Sequence, residues 1–185
     1  HLLWISEKLS FGNICIGDFI KKWYGTVPTY ITYGAVDRFK VLNVKSLIYN
    51  SKLKILFIGR IEKDNGIEMY SKVLNILGKK VKFEVCGDGS QRDEFEKFGK
   101  VHGFVKDIDK YILKSDIVFA SSYLSIIEAM KFGKPVFAVY DNPLKEDYLK
   151  MSPFAKWITV NKSPKIFANA VKSFWRNPNT KNINL

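Results

Sequence analysis

Apolar and polar positions along this chain switch repeatedly between two periods, and the switches mark its elements. Leu53-Lys54-Ile55-Leu56-Phe57-Ile58 is a nearly continuous apolar run that stops at Gly59-Arg60, the pattern of a strand covered on both faces. Ile67, Tyr70, Leu74 and Leu77 then fall on one helical stripe, which Gly78 ends. A strand over Phe83-Glu84-Val85-Cys86 reaches Gly87-Asp88-Gly89, and Ser90 with Asp93 predicts a capping box for the next helix. A strand from Lys100 to Phe104 and a helix near Ile108 to Leu113 follow. The strand Asp116-Ile117-Val118-Phe119-Ala120 leads into a short helix with Glu128 in its first turn. That helix stops at Gly133, and Pro135 opens a further strand, Val136-Phe137-Ala138-Val139. The last predicted helix puts Ile166, Ala170 and Phe174 on one face, with Phe167 and Val171 beside them. Upstream, a short strand over Asn13-Ile14-Cys15-Ile16-Gly17 precedes Asp18, which caps a brief helix, Phe19-Ile20-Lys21-Lys22-Trp23-Tyr24. Pro28 leads into a strand over Thr29-Tyr30-Ile31-Thr32-Tyr33. The polar stretch from Asn43 to Lys52 reads as a linker in which Leu47-Ile48-Tyr49 can pair locally. Strands alternating with helices imply an α/β fold with a doubly wound, Rossmann-like parallel sheet.

Length and charge narrow the picture. The chain has 185 residues, 46% hydrophobic and 26% charged, which suits one cored domain plus a remnant rather than two full domains. The net charge of +12 admits three partners: a nucleotide diphosphate, an anionic membrane surface or nucleic acid. The lysines are scattered, paired at Lys21-Lys22 and Lys79-Lys80 but never in longer runs. With no helix-turn-helix, RRM or zinc pattern, nucleic acid is not expected, and solvated lysines account for most of the charge. Peripheral membrane contact ranks second. No apolar run approaches the ~20 residues that span a bilayer. Cys15 and Cys86 lie in separate strand-like runs and read as buried thiols of a reducing compartment, which places the chain in the cytoplasm.

Four features resemble chemistry and have plainer meanings. Gly87-Asp88-Gly89 lacks the third glycine of a dinucleotide fingerprint, since Arg92 occupies that position, so a turn is expected. Asp107-Ile108-Asp109 precedes a helix, where N-capping explains it better than metal ligation. His102 has no acid or thiol beside it in sequence and reads as a strand residue. Ser125-x-x-Glu128 is by itself a capping box.

The remaining signals converge on one edge of the expected sheet. Ligands of such sheets bind at the carboxyl ends of the strands, where a helix N-terminus offers N–H groups to an anion. Gly59 clears space there, and Arg60 suits a diphosphate through paired charge-assisted hydrogen bonds. The start of the helix at Leu124 and Ser125 faces the same edge, with Glu128 placed to hold hydroxyls.

These residues carry a family resemblance. Glu128-Ala129-Met130 followed by Gly133-Lys134-Pro135-Val136 resembles the signature segment of the group 1 retaining glycosyltransferases of GT-B fold. Phe57-Ile58-Gly59-Arg60, Gly87-Asp88-Gly89 and Val101-His102-Gly103-Phe104-Val105 follow in the family's order, and Ile31 to Phe39 resembles its interdomain hinge. The resemblance spans about residues 28 to 175. It implies a nucleotide-sugar donor, UDP- or GDP-linked, as substrate, with no other cofactor and no metal. Its site is implied at Gly59, Arg60 and Lys63 with the Leu124 and Ser125 amides for the diphosphate, Phe104 and Val105 for the base, and Glu128 for the ribose. It also implies a domain boundary: residues 1–40 as a remnant of an N-terminal acceptor domain with its hinge, and 41–185 as the donor-binding half, inactive alone. Two departures stand out. Ala120 occupies the position of a family glutamate near the donor sugar, and Asn65 that of a phosphate-site lysine, which leaves Lys63 as the nearest cationic substitute. A non-catalytic nucleotide or sugar-phosphate module, and a basic membrane- or nucleic-acid-binding protein, are therefore carried as alternatives.

Overall fold

Six of the apolar runs pair side by side, all in one direction. The computed structural model describes residue 5 and residues 8–37 and 52–177. The apolar start at 1–4, hinge residues 38 and 39, and linker positions 43–51 with their local pairing lie outside the described residues. The main strands are β3 (Leu53–Ile58), β4 (Val81–Cys86), β5 (Gly99–Val101), β6 (Ile117–Phe119), β7 (Val136–Val139) and β8 (Ile158–Asn161), after a separate parallel pair of β1 (Ile14–Cys15) and β2 (Tyr30–Ile31). The sheet order is β5-β4-β3-β6-β7-β8, parallel throughout. The helices are α1 (Phe19–Tyr24), α2 (Ile67–Leu77), α3 (Arg92–Glu96), α4 (Asp109–Lys114), α5 (Tyr123–Lys131), α6 (Pro143–Lys150) and α7 (Pro164–Arg176). The chain is an α/β protein with a doubly wound, Rossmann-like sheet. Strand order reverses between β3 and β6, which creates the crevice where such sheets hold ligands.

Pleating explains the two layers. Leu53, Ile55 and Phe57 point to one face and join Tyr70, Leu74, Phe95, Phe119 and Phe167. Leu56 and Ile58 point to the other and join Ile126, Ala129, Phe132 and Leu149. A strand buried on both sides has no room for alternation, hence its continuous apolar run. The stripe Ile67, Tyr70, Leu74 and Leu77 is buried as its spacing requires, and Gly78 ends α2. Among the described residues, no helix is long and apolar enough to cross a membrane.

Several helix starts and one stripe differ from the sequence pattern, α3 and α1 among them. α3 begins after Gln91, and no side chain caps it. The Ser90 N–H and hydroxyl donate instead to Glu62, in the loop after β3. Asp18 likewise makes no cap bond to α1, because it accepts from the Tyr33 hydroxyl. In both cases a partner distant in sequence outcompetes the local cap. On α7, Ile166 is exposed while Phe167, Ala168 and Val171 are buried, since Phe167 packs edge-on against Tyr70, Phe119 and Phe137. α6 and β8 are elements that the apolar pattern does not reveal.

Residues 13–34 sit against the α5–α6 side. Phe19 packs on Tyr148, and Tyr33 on Tyr123 and Phe154. Asp147 accepts from Trp23 Nε1 at 2.8 Å and pairs with Lys22 at 2.6 Å. This segment leaves Ile14, Val27 and Tyr30 exposed, as is Phe11 just before it.

Candidate functional site

Three loops meet above the crevice because two backbones pass unusually close. A Cβ on Gly87 would lie 1.8 Å from the Gly59 carbonyl oxygen, so only glycine lets the ends of β3 and β4 cross there. Ile61 N donates to Asp88 O at 2.9 Å, and Gly87 N to Gly103 O at 2.9 Å. The loop after β3 is thereby tied to the loops that end in Gly89 and Phe104. Gly59 itself has φ 144°, and a Cβ there would lie 3.9 Å from Ser125 Oγ. The end of β3 thus abuts the start of α5 across the switch point.

Arg60 is exposed, and its guanidinium donates to Asp64 at 2.9 Å. Lys63 is exposed on the turn Lys63–Asn65. Asn65 is buried and its amide donates to Arg60 O at 3.0 Å. This side chain therefore shapes the loop rather than facing a ligand. Ser90's two bonds hold the Glu62 carboxyl below its ordinary range.

The helix after β6 starts earlier than its capping pattern suggests. Ser122 is the N-cap of α5 and Ser125 lies within the first turn, so Glu128 falls in the second turn and caps nothing. Ser122 Oγ donates to Ser125 Oγ at 2.9 Å, not to the backbone. The Tyr123 N–H donates to the Tyr148 hydroxyl at 2.8 Å. An α-helix supplies no internal partner for the amides of Leu124 and Ser125, which leaves this turn suited to an anion. Leu124 is exposed and Ser125 buried.

Glu128 is half-buried, and burial first, then the nearby Asp109 carboxylate, pushes its carboxyl above the ordinary range; Lys131 opposes the shift. Phe104 is exposed, whereas Val105 packs against the apolar layer beneath α5. The structure thus brings Gly59 and Ser125 together at the crevice, with Arg60 and Lys63 exposed on the loop after β3 and Leu124 exposed on the first turn of α5. Phe104 and Val105 lie on the loop that follows β5, and Glu128 lies on the α5 flank near Asp109. A surface depression of about 390 Å³ between α2 and α3, lined by Glu68, Ser71, Lys72, Asn75, Gln91 and Glu94, shares no residue with this set.

Three further residues define the site's frame. Ala120 is fully buried in the apolar layer. Ser121 Oγ contacts Tyr70 Oη at 2.8 Å and accepts from Val139 N at 3.1 Å, fastening β6 to β7. Lys145, on α6, lies over the Tyr148 ring with Nζ 4.6 Å from its centroid. Burial lowers the Lys145 ammonium to about 8, while Asp64 and Asp141 raise it and Arg60 lowers it further. The adjacent Asn142-Pro143 pair is a helix-start signal that locates this lysine in the sequence: the Asn142 side chain accepts from Lys145 N at 2.9 Å.

Other motifs resolve quietly. His102 Nε2 lies 2.9 Å from Glu84 on the neighbouring strand. Asp107 and Asp109 pair with Lys110 at 3.8 Å and Lys131 at 3.6 Å, and neither side chain caps α4. No group of three or more potential metal ligands occurs among the described residues.

Residues 39–183 match the family described as glycosyl transferases group 1. A Klebsiella pneumoniae protein, described as an uncharacterized 41.2 kDa protein in the cps region, is 30% identical over 115 residues, covering 56% of this chain and 32% of that one. Among solved structures, TarM superposes with a TM-score of 0.67 at 19% identity, covering 95% of this chain and 39% of that one. The pneumococcal O-GlcNAc transferase GtfA, in complex with UDP and GlcNAc, gives 0.62 at 11% identity over 92% and 39%. Anabaena Alr3699/HepE, in complex with UDP and glucose, gives 0.58 at 17% identity over 73% and 42%. The chain therefore spans about a third to two fifths of these relatives' lengths.

Proposed function

Because this chain belongs to the group 1 glycosyltransferases, we propose that its crevice binds a nucleotide-sugar, with the diphosphate at Gly59, Arg60, Lys63 and the first turn of α5. The observation that carries this reading is the meeting of Gly59 with Ser125 at the strand-order reversal between β3 and β6. Arg60 and Lys63 supply positive charge, and the Leu124 and Ser125 amides supply oriented donors, so charge growing on a departing diphosphate is met without a metal. Phe104 and Val105 line the base position, and Glu128 accepts from the ribose hydroxyls. The UDP bound to GtfA and HepE makes UDP the first donor base to test. Residues up to about 40 belong, in this reading, to a domain that carries the acceptor. Transfer requires that domain, and the chain by itself binds donor weakly. A cytoplasmic site, with or without peripheral membrane contact, accords with it.

A second reading is supported by Ala120, which puts a methyl group in an apolar layer, and by Asn65, which is committed to the Arg60 carbonyl. In it the crevice binds a nucleotide without transferring a sugar. Calorimetric titration with UDP, GDP and ADP tests the shared premise. One nucleotide is expected to bind, and Arg60→Ala to weaken it by about 1.5–3 kcal/mol, the worth of a charged hydrogen bond. Unchanged affinity removes Arg60 from the site. Turnover by the full-length protein separates transferase from binding module.

A further inference from the structure

Arg60 is partly neutralised by Asp64 before any ligand arrives, since the pair is closed at 2.9 Å. Asn65 is spent on the loop backbone. Beside Arg60, Lys63 is the remaining cation of that loop, and α6 brings a further one to the sheet's carboxyl edge. The Asn142 cap and Pro143 fix the first turn of α6, with Lys145 held by its own N–H. The side chain lies on Tyr148, whose hydroxyl accepts the Tyr123 N–H at the start of α5. Arg60 and Asp64 act on the Lys145 ammonium from the loop after β3. Through Tyr148 the ammonium lies beside the first turn of α5, with the charges of Arg60 and Asp64 near enough to act on it. Among the described residues it forms no ion pair within 4 Å. A partly buried cation set near a second cation, and left without a carboxylate in contact, is stabilised by an anion that touches both.

We propose that Lys145 is a binding residue of the diphosphate subsite, its ammonium holding the same phosphate group as Arg60 and completing the charge that Asp64 takes from Arg60. The inference rests on the donor-site reading above. It carries a signature that a merely structural lysine lacks. With its ammonium lowered to about 8 by burial, Lys145 is partly deprotonated near that pH in the free chain. A bound diphosphate favours the charged form and draws in a proton. The groups that face it are Arg60 and Asp64 from the β3 loop, Asp141 before α6, and Tyr148 on α6 itself. Burial raises the Tyr148 phenol, which stays neutral in this range.

The test is calorimetry of this chain with UDP, GDP and ADP near pH 8, in buffers of differing protonation enthalpy. Wild type is expected to take up a fraction of a proton on binding. Lys145→Met is expected to lose about 10–100-fold in affinity, as a lost charged hydrogen bond implies, together with the uptake. Lys145→Arg keeps its charge at every accessible pH, so affinity is retained while proton uptake vanishes. Undiminished uptake in a folded Lys145→Arg, or unchanged affinity in Lys145→Met, overturns the proposal and leaves the donor site standing. If wild type binds none of the three nucleotides, the donor-site reading fails and this inference falls with it.

Discussion

Glu128 illustrates how one residue's neighbours decide its meaning. It sits in the second turn of α5, so replacing it costs no cap. Its raised carboxyl pKa means the folded chain holds that proton more tightly than the unfolded chain does. Stability from this group therefore falls as pH rises through the window between the ordinary and the raised value, and the deficit persists above it. Glu128→Gln removes that deficit. The melting temperature at neutral pH is expected to hold or rise, while nucleotide affinity falls by about 1.5–3 kcal/mol for a lost charged acceptor. Scanning calorimetry and titration, repeated with a 2′,3′-dideoxy analogue, check both halves; the analogue is expected to be indifferent to the substitution. The capping pattern put the start of α5 three residues late, at Ser125 rather than Ser122, but Gly59 and Arg60 after β3 were legible in the sequence, because a glycine after a strand leaves a local mark. Lys145 and Ser121 were not, since each acts through partners far along the chain: Arg60 and Asp64 for the first, Tyr70 and Val139 for the second.

Elements were legible where burial is one-sided or complete, and obscure where a helix buries little. The bounds of β3, α2 and β7 follow from their apolar runs, whereas α6 buries only Leu149 and shows itself through Asn142-Pro143 alone. On α7 the apolar arc spans two adjacent stripes, and helical spacing cannot choose between them. The choice was made by the aromatic cluster of Tyr70, Phe119 and Phe137, which admits Phe167 and leaves Ile166 outside. Phe167→Ala is accordingly expected to cost about 3–5 kcal/mol, the usual range for a buried ring. Ile166→Ala should stay within about 0.5 kcal/mol, as exposed substitutions do. Urea unfolding of the two variants measures the difference, and equal losses contradict this packing.

At the scale of the molecule, residues 13–34 and the six-stranded sheet differ in how they are held. β1 and β2 pair over two residues each, too little for a sheet to stand alone, and the surface Lys22–Asp147 pair adds less than about 1 kcal/mol. Amide exchange is expected to be fast across β1 and β2 and slow in β3; matching protection would make the two regions one cooperative body. The reversal of strand order has a further consequence, for the order in which the chain is made. β3 lies at the centre of the sheet, yet its neighbours β4 and β6 are synthesised at different times. Once β3 has emerged from a ribosome, one of its edges stays bare until β6 follows. The roughly 60 residues between β3 and β6 take about 3–12 s at ~5–20 residues per second. Through that interval the most apolar strand of the nascent chain presents an open edge, a template for pairing with other nascent chains. During synthesis, the strand arrangement that forms the crevice is also what leaves the sheet's central strand open to a foreign partner.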